Sequence, residues 1–259
     1  MTPAELLGSA GGMAFACAVA FAAGLAHGLS GFGFPLISTP TMALVSEVRT
    51  AVLVTLIPNI GVNVASAASG AGWRENLRRH WAMPAWVLLG TIAGTQVVIF
   101  APVNVLRLML AAMIVVYLRQ DRFKRVDWSV VRRRPALAGA SFGLVAGFFS
   151  GTVNVMLPPL LIYFTTLALP PLVMTQVMNA CFLVGKLAQA AVFAAHGLFT
   201  TGGLLLTVPV TVVALIGYWA GLKLQPRVKP EVYRKAIRGV LWAMAGLLLF
   251  QVVASWLRG

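Results

Sequence analysis

Residues 172–196 read LVMTQVMNACFLVGKLAQAAVFAAH, 25 residues with a single charged side chain, Lys186. About 20 consecutive apolar residues span the hydrocarbon core of a bilayer as an α-helix. Strand-type alternation is absent here, and only helices and closed barrels satisfy their backbone groups in lipid. The stretch therefore predicts a membrane helix. Working outward, a first set of apolar segments runs 11–29, 33–45, 50–70, 83–101 and 104–119. A basic loop follows at 119–135, RQDRFKRVDWSVVRRRP, and then a second set at 136–149, 152–169, 172–196, 203–224 and 234–257.

The composition agrees. Of 259 residues, 59% are hydrophobic and 10% charged, with a mean hydropathy of +0.89. Soluble domains carry about 25% charged residues. A cytosolic enzyme, a disordered chain and a disulfide scaffold are excluded, and an all-α polytopic membrane protein is expected. The net charge of +14 does not point to nucleic acid. Nearly all of the 20 Lys and Arg fall in or beside three short loops between apolar stretches, as charges that set membrane orientation do, where they also meet anionic lipid headgroups. Cys17 and Cys181 lie inside apolar segments without metal or redox spacing. The start, MTPAELLGSAGGMAF, has no Lys or Arg before its apolar run, unlike a secretory signal peptide, and is expected to belong to the first helix.

The segments 33–45 and 136–149 are short for a full span. Each short pair is joined at a glycine break, Ser30-Gly31 in the first set and Ser150-Gly151 in the second. The two sets read as copies: Thr55 and Asn59 match Thr175 and Asn179 at the same offset as the breaks. The charge pattern of the copies is antisymmetric. Arg74, Arg78 and Arg79 lie in the 71–81 loop, whose counterpart 197–202 is uncharged. Loop 101–103 is uncharged, whereas its counterpart 225–233 carries Arg227 and Lys229. The positive-inside rule then makes loops 71–81, 119–135 and 225–233 cytoplasmic and both termini extracytoplasmic. Two inverted repeats of about five helical segments each are expected, with broken or short helices at Gly-rich motifs: 1–119, a basic cytoplasmic linker 120–135, and 136–259.

Lys186 is 14 residues into its segment and 10 from its end, about 15 Å from the nearer end. A lysine near the midplane costs roughly 3 kcal/mol even on insertion scales. Two readings stand: a substrate-facing cation, or a lysine paired with backbone carbonyls in a packed core. No Asp or Glu lies inside any segment away from its ends. Cation transporters and proton pumps place carboxylates there. A buried Lys, amides, hydroxyls and helix ends with free N–H groups suit an anion instead.

The candidate substrate-binding residues are Ser30, Gly31 and Gly33 at the first break and Ser150, Gly151, Thr152 and Asn154 at the second. Thr55, Asn59, Thr175, Asn179 and Lys186 join them, and the two breaks are expected to converge near the midplane. Thr and Asn four residues apart share a helix face, where interhelical bonding is the alternative role. His27, just before the first break, is a candidate proton relay or a structural histidine. No catalytic constellation, metal site or cofactor motif stands out.

Three stretches carry a resemblance: AAGLAHGLSGFGFPLISTP early in the chain, Val48-Arg49-Thr50-Ala51 at the next helix, and FGLVAGFFSGTVNVMLPPLL in the second half. In these the chain resembles the sulfite exporter TauE/SafE family of membrane permeases. The resemblance implies transport of small anions such as sulfite, sulfonates or related organosulfur acids, and a multi-pass location in the inner (plasma) membrane. The partners expected are a small anionic substrate and membrane lipids, with no nucleic acid and with a homodimer left open. The rival class is a membrane-embedded scaffold or enzyme subunit without transport.

Overall fold

The computed structural model describes residues 2–67, 72–123 and 126–258. Met1, residues 68–71, Lys124 and Arg125 of the basic linker, and the C-terminal Gly259 lie outside the described residues. All regular structure among the described residues is helical. In chain order the helices are α1 (Pro3–Gly8), α2 (Ala10–Ser30), α3 (Phe34–Val45), α4 (Val48–Ala67), α5 (Trp73–Arg79), α6 (Ala82–Phe100) and α7 (Val103–Leu118). Two short helices in the linker, α8 (Gln120–Phe123) and α9 (Ser129–Arg133), come next. Then follow α10 (Pro135–Val153), α11 (Leu157–Thr166), α12 (Pro171–Ala195), α13 (Thr201–Leu224) and α14 (Pro230–Arg258). Seven of them, α2, α4, α6, α10, α12, α13 and α14, are long and apolar enough to cross a membrane. With α3, α7 and α11 as shorter apolar helices, the chain is an all-α polytopic membrane protein.

Two boundaries differ from expectation. The N-terminal residues are not part of the first long helix. Thr2 and Glu5 form a capping box that starts α1, with Thr2 N–H donating to Glu5 Oε2 (2.8 Å) and Glu5 N–H to Thr2 Oγ1 (3.3 Å). Ser9 then turns extended, and its Oγ accepts from Gly12 N–H (3.0 Å) to start α2 afresh. Such a cap is worth about 1 kcal/mol. The second difference concerns the break in the second half. Helix α10 runs through Ser150-Gly151 to Val153, so it is 19 residues long rather than short. The turn sits at Asn154 (φ 66°), and the short helix is α11. In the first half the turn is at Gly31 (φ 83°), whose N–H donates to His27 O (2.6 Å). Gly and Asn are the residues that enter the left-handed region most readily. Prolines in the first turns of α3 (Pro35) and α11 (Pro158, Pro159) then fix the restart of each helix.

The helices form two compact units, and each draws on both halves of the sequence. The first comprises Met1–Val62, Ala101–Leu118 and Phe199–Gly259; the second comprises Asn63–Phe100 and Arg119–Leu198. In the first, α2 packs along α13, and α14 along α7. In the second, α6 packs along α10 and α12.

The long pairs use glycine for close approach. A Cβ on Gly24 or Gly28 of α2 would collide with the carbonyl oxygens of Ala214 and Tyr218 on α13. Gly217 and Gly221 of α13 would collide likewise with Phe21 and Leu25. In the second unit, Gly147 and Gly151 of α10 meet the carbonyls of Val87 and Thr91 on α6, and Gly90 and Gly94 meet those of Leu144 and Phe148. Small residues at four-residue spacing let membrane helices touch backbone to backbone. The two pairs correspond residue for residue: Gly24 and Gly147 stand 123 positions apart, as do Gly28 and Gly151, and Ala214 and Tyr218 stand 127 beyond Val87 and Thr91.

Candidate functional site

The second unit contains a buried polar cluster where the end of α10 meets the middle of α12. An α-helix leaves its last four carbonyls without partners of its own. For α10 these include Ser150 and Gly151; the left-handed Asn154 gives its N–H to Ser150 O (3.2 Å), and an oxygen with two lone pairs can accept a second donor. Lys186, fully buried on α12, supplies the donor. Its Nζ donates to Asn154 Oδ1, to Gln189 Oε1 (2.7 Å) and to Ser150 O (3.3 Å). An ammonium has three protons to place, and these are three acceptors. Gln189 completes the cluster by donating from Nε2 to Gly151 O (2.8 Å). A cation at a helix C-terminus also meets the negative end of the helix dipole.

The charge on the lysine is not matched by an acid. Among the described residues no Asp or Glu is buried, and the only fully buried basic side chains are Lys186 and His27. Lys186 Nζ is therefore bonded to neutral oxygens alone. Beside it, Ser150 Oγ is buried without a hydrogen-bond partner. The space over Gly185 is bounded by Ser150 Oγ, Thr91 Oγ1 and the Met156 methyl, 3.2–3.3 Å from where a Cβ would stand.

Of the residues expected at the second break, the structure brings Ser150, Gly151 and Asn154 together with Lys186. Thr152 is buried but its hydroxyl donates back to Phe148 O within α10 (3.0 Å). Asn179 lies two turns from Lys186 along α12 and donates to Ser66 Oγ (2.9 Å), the interhelical bonding weighed for it above. Thr175 is half-buried one turn further, beside Gln176, whose Oε1 accepts from Asn76 Nδ2 (2.7 Å). Gln189 was missed by sequence reading. Its signal is position: it follows Lys186 by three residues and so faces the same way.

The first unit holds the other candidates. Ser30 ends α2 with its Oγ donating to Ala26 O (2.8 Å), Gly31 makes the turn, and Gly33 caps α3. Thr55 is buried against Thr39, with 3.3 Å between their hydroxyl oxygens, and donates to Ala51 O (2.7 Å). Asn59 is buried one turn later. A small cavity between α2, α3, α4 and α13 is lined by Val19, Phe34, Ser38, Thr55 and Pro58 among others.

The helix starts are less suited to an anion than expected. Four N–H groups open a helix. Pro158 and Pro159 remove two of them from α11, and Pro35 removes one from α3. Positive charge in the second unit's interior rests on Lys186. Outside the spans, His80 is held below the ordinary imidazole value by burial and by Arg79, so it adds little charge at neutral pH.

The fold is thus a membrane-spanning helical body with a buried lysine bonded to neutral oxygens at a helix break. The model of the sulfite exporter TauE/SafE family matches residues 16–248. The chain belongs to that family. No curated protein and no solved structure matches it. As a TauE/SafE member the chain is a multi-pass membrane protein of a permease family, and the match takes in both helix breaks, the Lys186 cluster and both glycine-packed pairs.

Proposed function

We propose that this TauE/SafE chain is a secondary-type permease of the inner membrane. It carries small anions, sulfite, sulfonates or related organosulfur acids, by exposing the Lys186 site in turn to the two sides. The observation that carries the reading is the ammonium of Lys186, fully buried and bonded only to neutral oxygens. A buried charge is expensive unless it is paired. An arriving monoanion supplies the missing pair. It takes the place of the longest of the three bonds, to Ser150 O, while Ser150 Oγ turns to donate to it. The bonds to Asn154 and Gln189 hold the lysine at the site when the anion is absent.

The family name points to sulfite, and the cluster's chemistry agrees with the class. A compact ammonium with neutral donors recognises a small oxyanion by charge and hydrogen bonding. We propose further that the two halves are inverted repeats. The matching glycine contacts of α2–α13 and α10–α6 support a repeat, and the antisymmetric loop charges support its inversion. Counterflow of labelled sulfite and of a labelled alkanesulfonate into proteoliposomes tests the function. Uptake above protein-free vesicles that is competed by unlabelled anion is expected. No uptake of either, with inserted protein, would leave the scaffold reading.

A further inference from the structure

The second buried basic side chain, His27, is held quite differently from Lys186. It lies in the last turn of α2, is fully buried, and neither ring nitrogen has a hydrogen-bond partner. Its ring stands edge-on to Tyr218 of α13, with centroids 5.7 Å apart. Its backbone carbonyl accepts from Gly31 N–H, the bond that closes the left-handed turn between α2 and α3. The preceding carbonyl, Ala26 O, is held by Ser30 Oγ (2.8 Å) and by Tyr233 OH (3.1 Å). The backbone of His27 is thus part of the turn that joins α2 to α3, and its imidazole packs against α13.

A neutral imidazole has one donor and one acceptor, and leaving both unanswered in a buried site is unfavourable. Such an arrangement persists when the ring finds partners in another state of the protein. The ordinary imidazole value also lies within the physiological pH range, so a ring that reaches water there gains a proton readily. Once charged it sits at a helix C-terminus, where a cation is favoured. Among the described residues the surrounding elements carry no buried acid: Glu231, in the first turn of α14, is exposed. Helix α13 brings Tyr218 and, exposed in its last turn, Lys223; the turn Gln225–Arg227 brings exposed Arg227; α14 brings Tyr233; α3 brings no ionisable group; and α1 has Glu5, at the opposite end of α2. A protonated His27 therefore meets no buried acid in the packed arrangement, and its charge favours a state in which the ring reaches water.

We propose that His27 is the proton-binding site that couples proton movement to anion movement. The proton enters from water onto a ring nitrogen while the α2–α3 turn is open. It leaves to water when the ring returns to the packed position. One proton carried with one monoanion makes the cycle electroneutral, so the membrane potential does not oppose it. This inference rests on the permease reading.

The test uses a small alkanesulfonate, which does not titrate near neutral pH, in proteoliposomes loaded with a pH-sensitive dye and clamped at zero potential. The wild-type protein is expected to move about one proton per sulfonate down a sulfonate gradient. His27→Gln and His27→Asn are expected to keep sulfonate counterflow at equal pH, which also shows that they are folded, while protons moved per sulfonate fall at least tenfold. Sulfonate flux without protons in the wild type would overturn the coupling alone. So would a variant with unchanged proton flux, or loss of counterflow in both variants, which would make His27 a packing residue. Absence of sulfonate counterflow in the wild type would remove the sulfonate-permease reading and this inference with it.

Discussion

The ammonium of Lys186 on α12 donates to the side-chain oxygen of Asn154, the residue whose left-handed backbone ends α10. One residue thereby does two things: it stops the helix, and it holds the lysine against the buried carbonyl end of α10. Movement of Lys186 toward an anion would loosen the turn between α10 and α11, so charge and helix geometry are linked at this point.

The two roles of Asn154 separate by substitution. Asn154→Gly keeps the left-handed turn and removes the acceptor. Asn154→Ala removes the acceptor and adds roughly 1–2 kcal/mol of backbone strain. Thermal unfolding in detergent is expected to rank wild type above Gly and Gly above Ala. Equal loss for both would mean that the turn contributes nothing.

Gln189→Leu leaves the ammonium one acceptor short and Gly151 O without its side-chain donor. Losing a hydrogen bond to a charged group costs about 1.5–3 kcal/mol. A lower unfolding temperature is expected, with weaker anion flux. Gln189→Glu is expected to cancel the charge of Lys186 and to lower anion flux more than it lowers stability.

The α10–α6 contact tolerates no side chain. Gly147→Leu drives a branched group into the Val87 carbonyl, and overpacking of this kind costs about 1–3 kcal/mol or more. Gly24→Leu is expected to do the same against Ala214. Gly246, on α14, has open space where its Cβ would be, and Gly246→Ala is expected to be neutral or slightly stabilising. Expression level and unfolding temperature of the three variants check the ranking.

Much of this was legible in the sequence, because apolar run length is what bilayer thickness dictates. The ten apolar segments reappear as helices within a few residues. What misled was glycine. Ser150-Gly151 resembles Ser30-Gly31 and reads as a break, yet Gly151 is a packing surface against Thr91 and Thr95 inside a continuous helix. The turn falls at Asn154 instead, 123 positions beyond Gly31, the same separation as Gly24 and Gly147. Lys186 stood out because a single charge in a long apolar run is conspicuous. Its partner Gln189 did not, because a glutamine near a helix end has many ordinary roles. The pairing of α2 with α13 and α6 with α10 was hidden as well. Hydropathy says that a helix is apolar all round and does not say which glycine stripe meets which.

Orientation is open to a direct check. The loop charges place 119–135 in the cytoplasm and the C-terminus outside. A reporter active only in the cytoplasm should work when inserted in that loop and fail when fused at Gly259. Activity at both positions would contradict the inverted arrangement.

The central claim is that the charge of Lys186 attracts the anion, and one measurement addresses it most directly: counterflow of labelled sulfite by Lys186→Met beside the wild type, at matched amounts of inserted protein. The methionine keeps approximate volume and removes the charge. The account predicts that flux falls at least tenfold while the protein inserts and remains monodisperse, with Lys186→Arg retaining part of it because the charge stays but its geometry changes. Wild-type flux in Lys186→Met would contradict the account and make the lysine a structural tie between α12 and the end of α10.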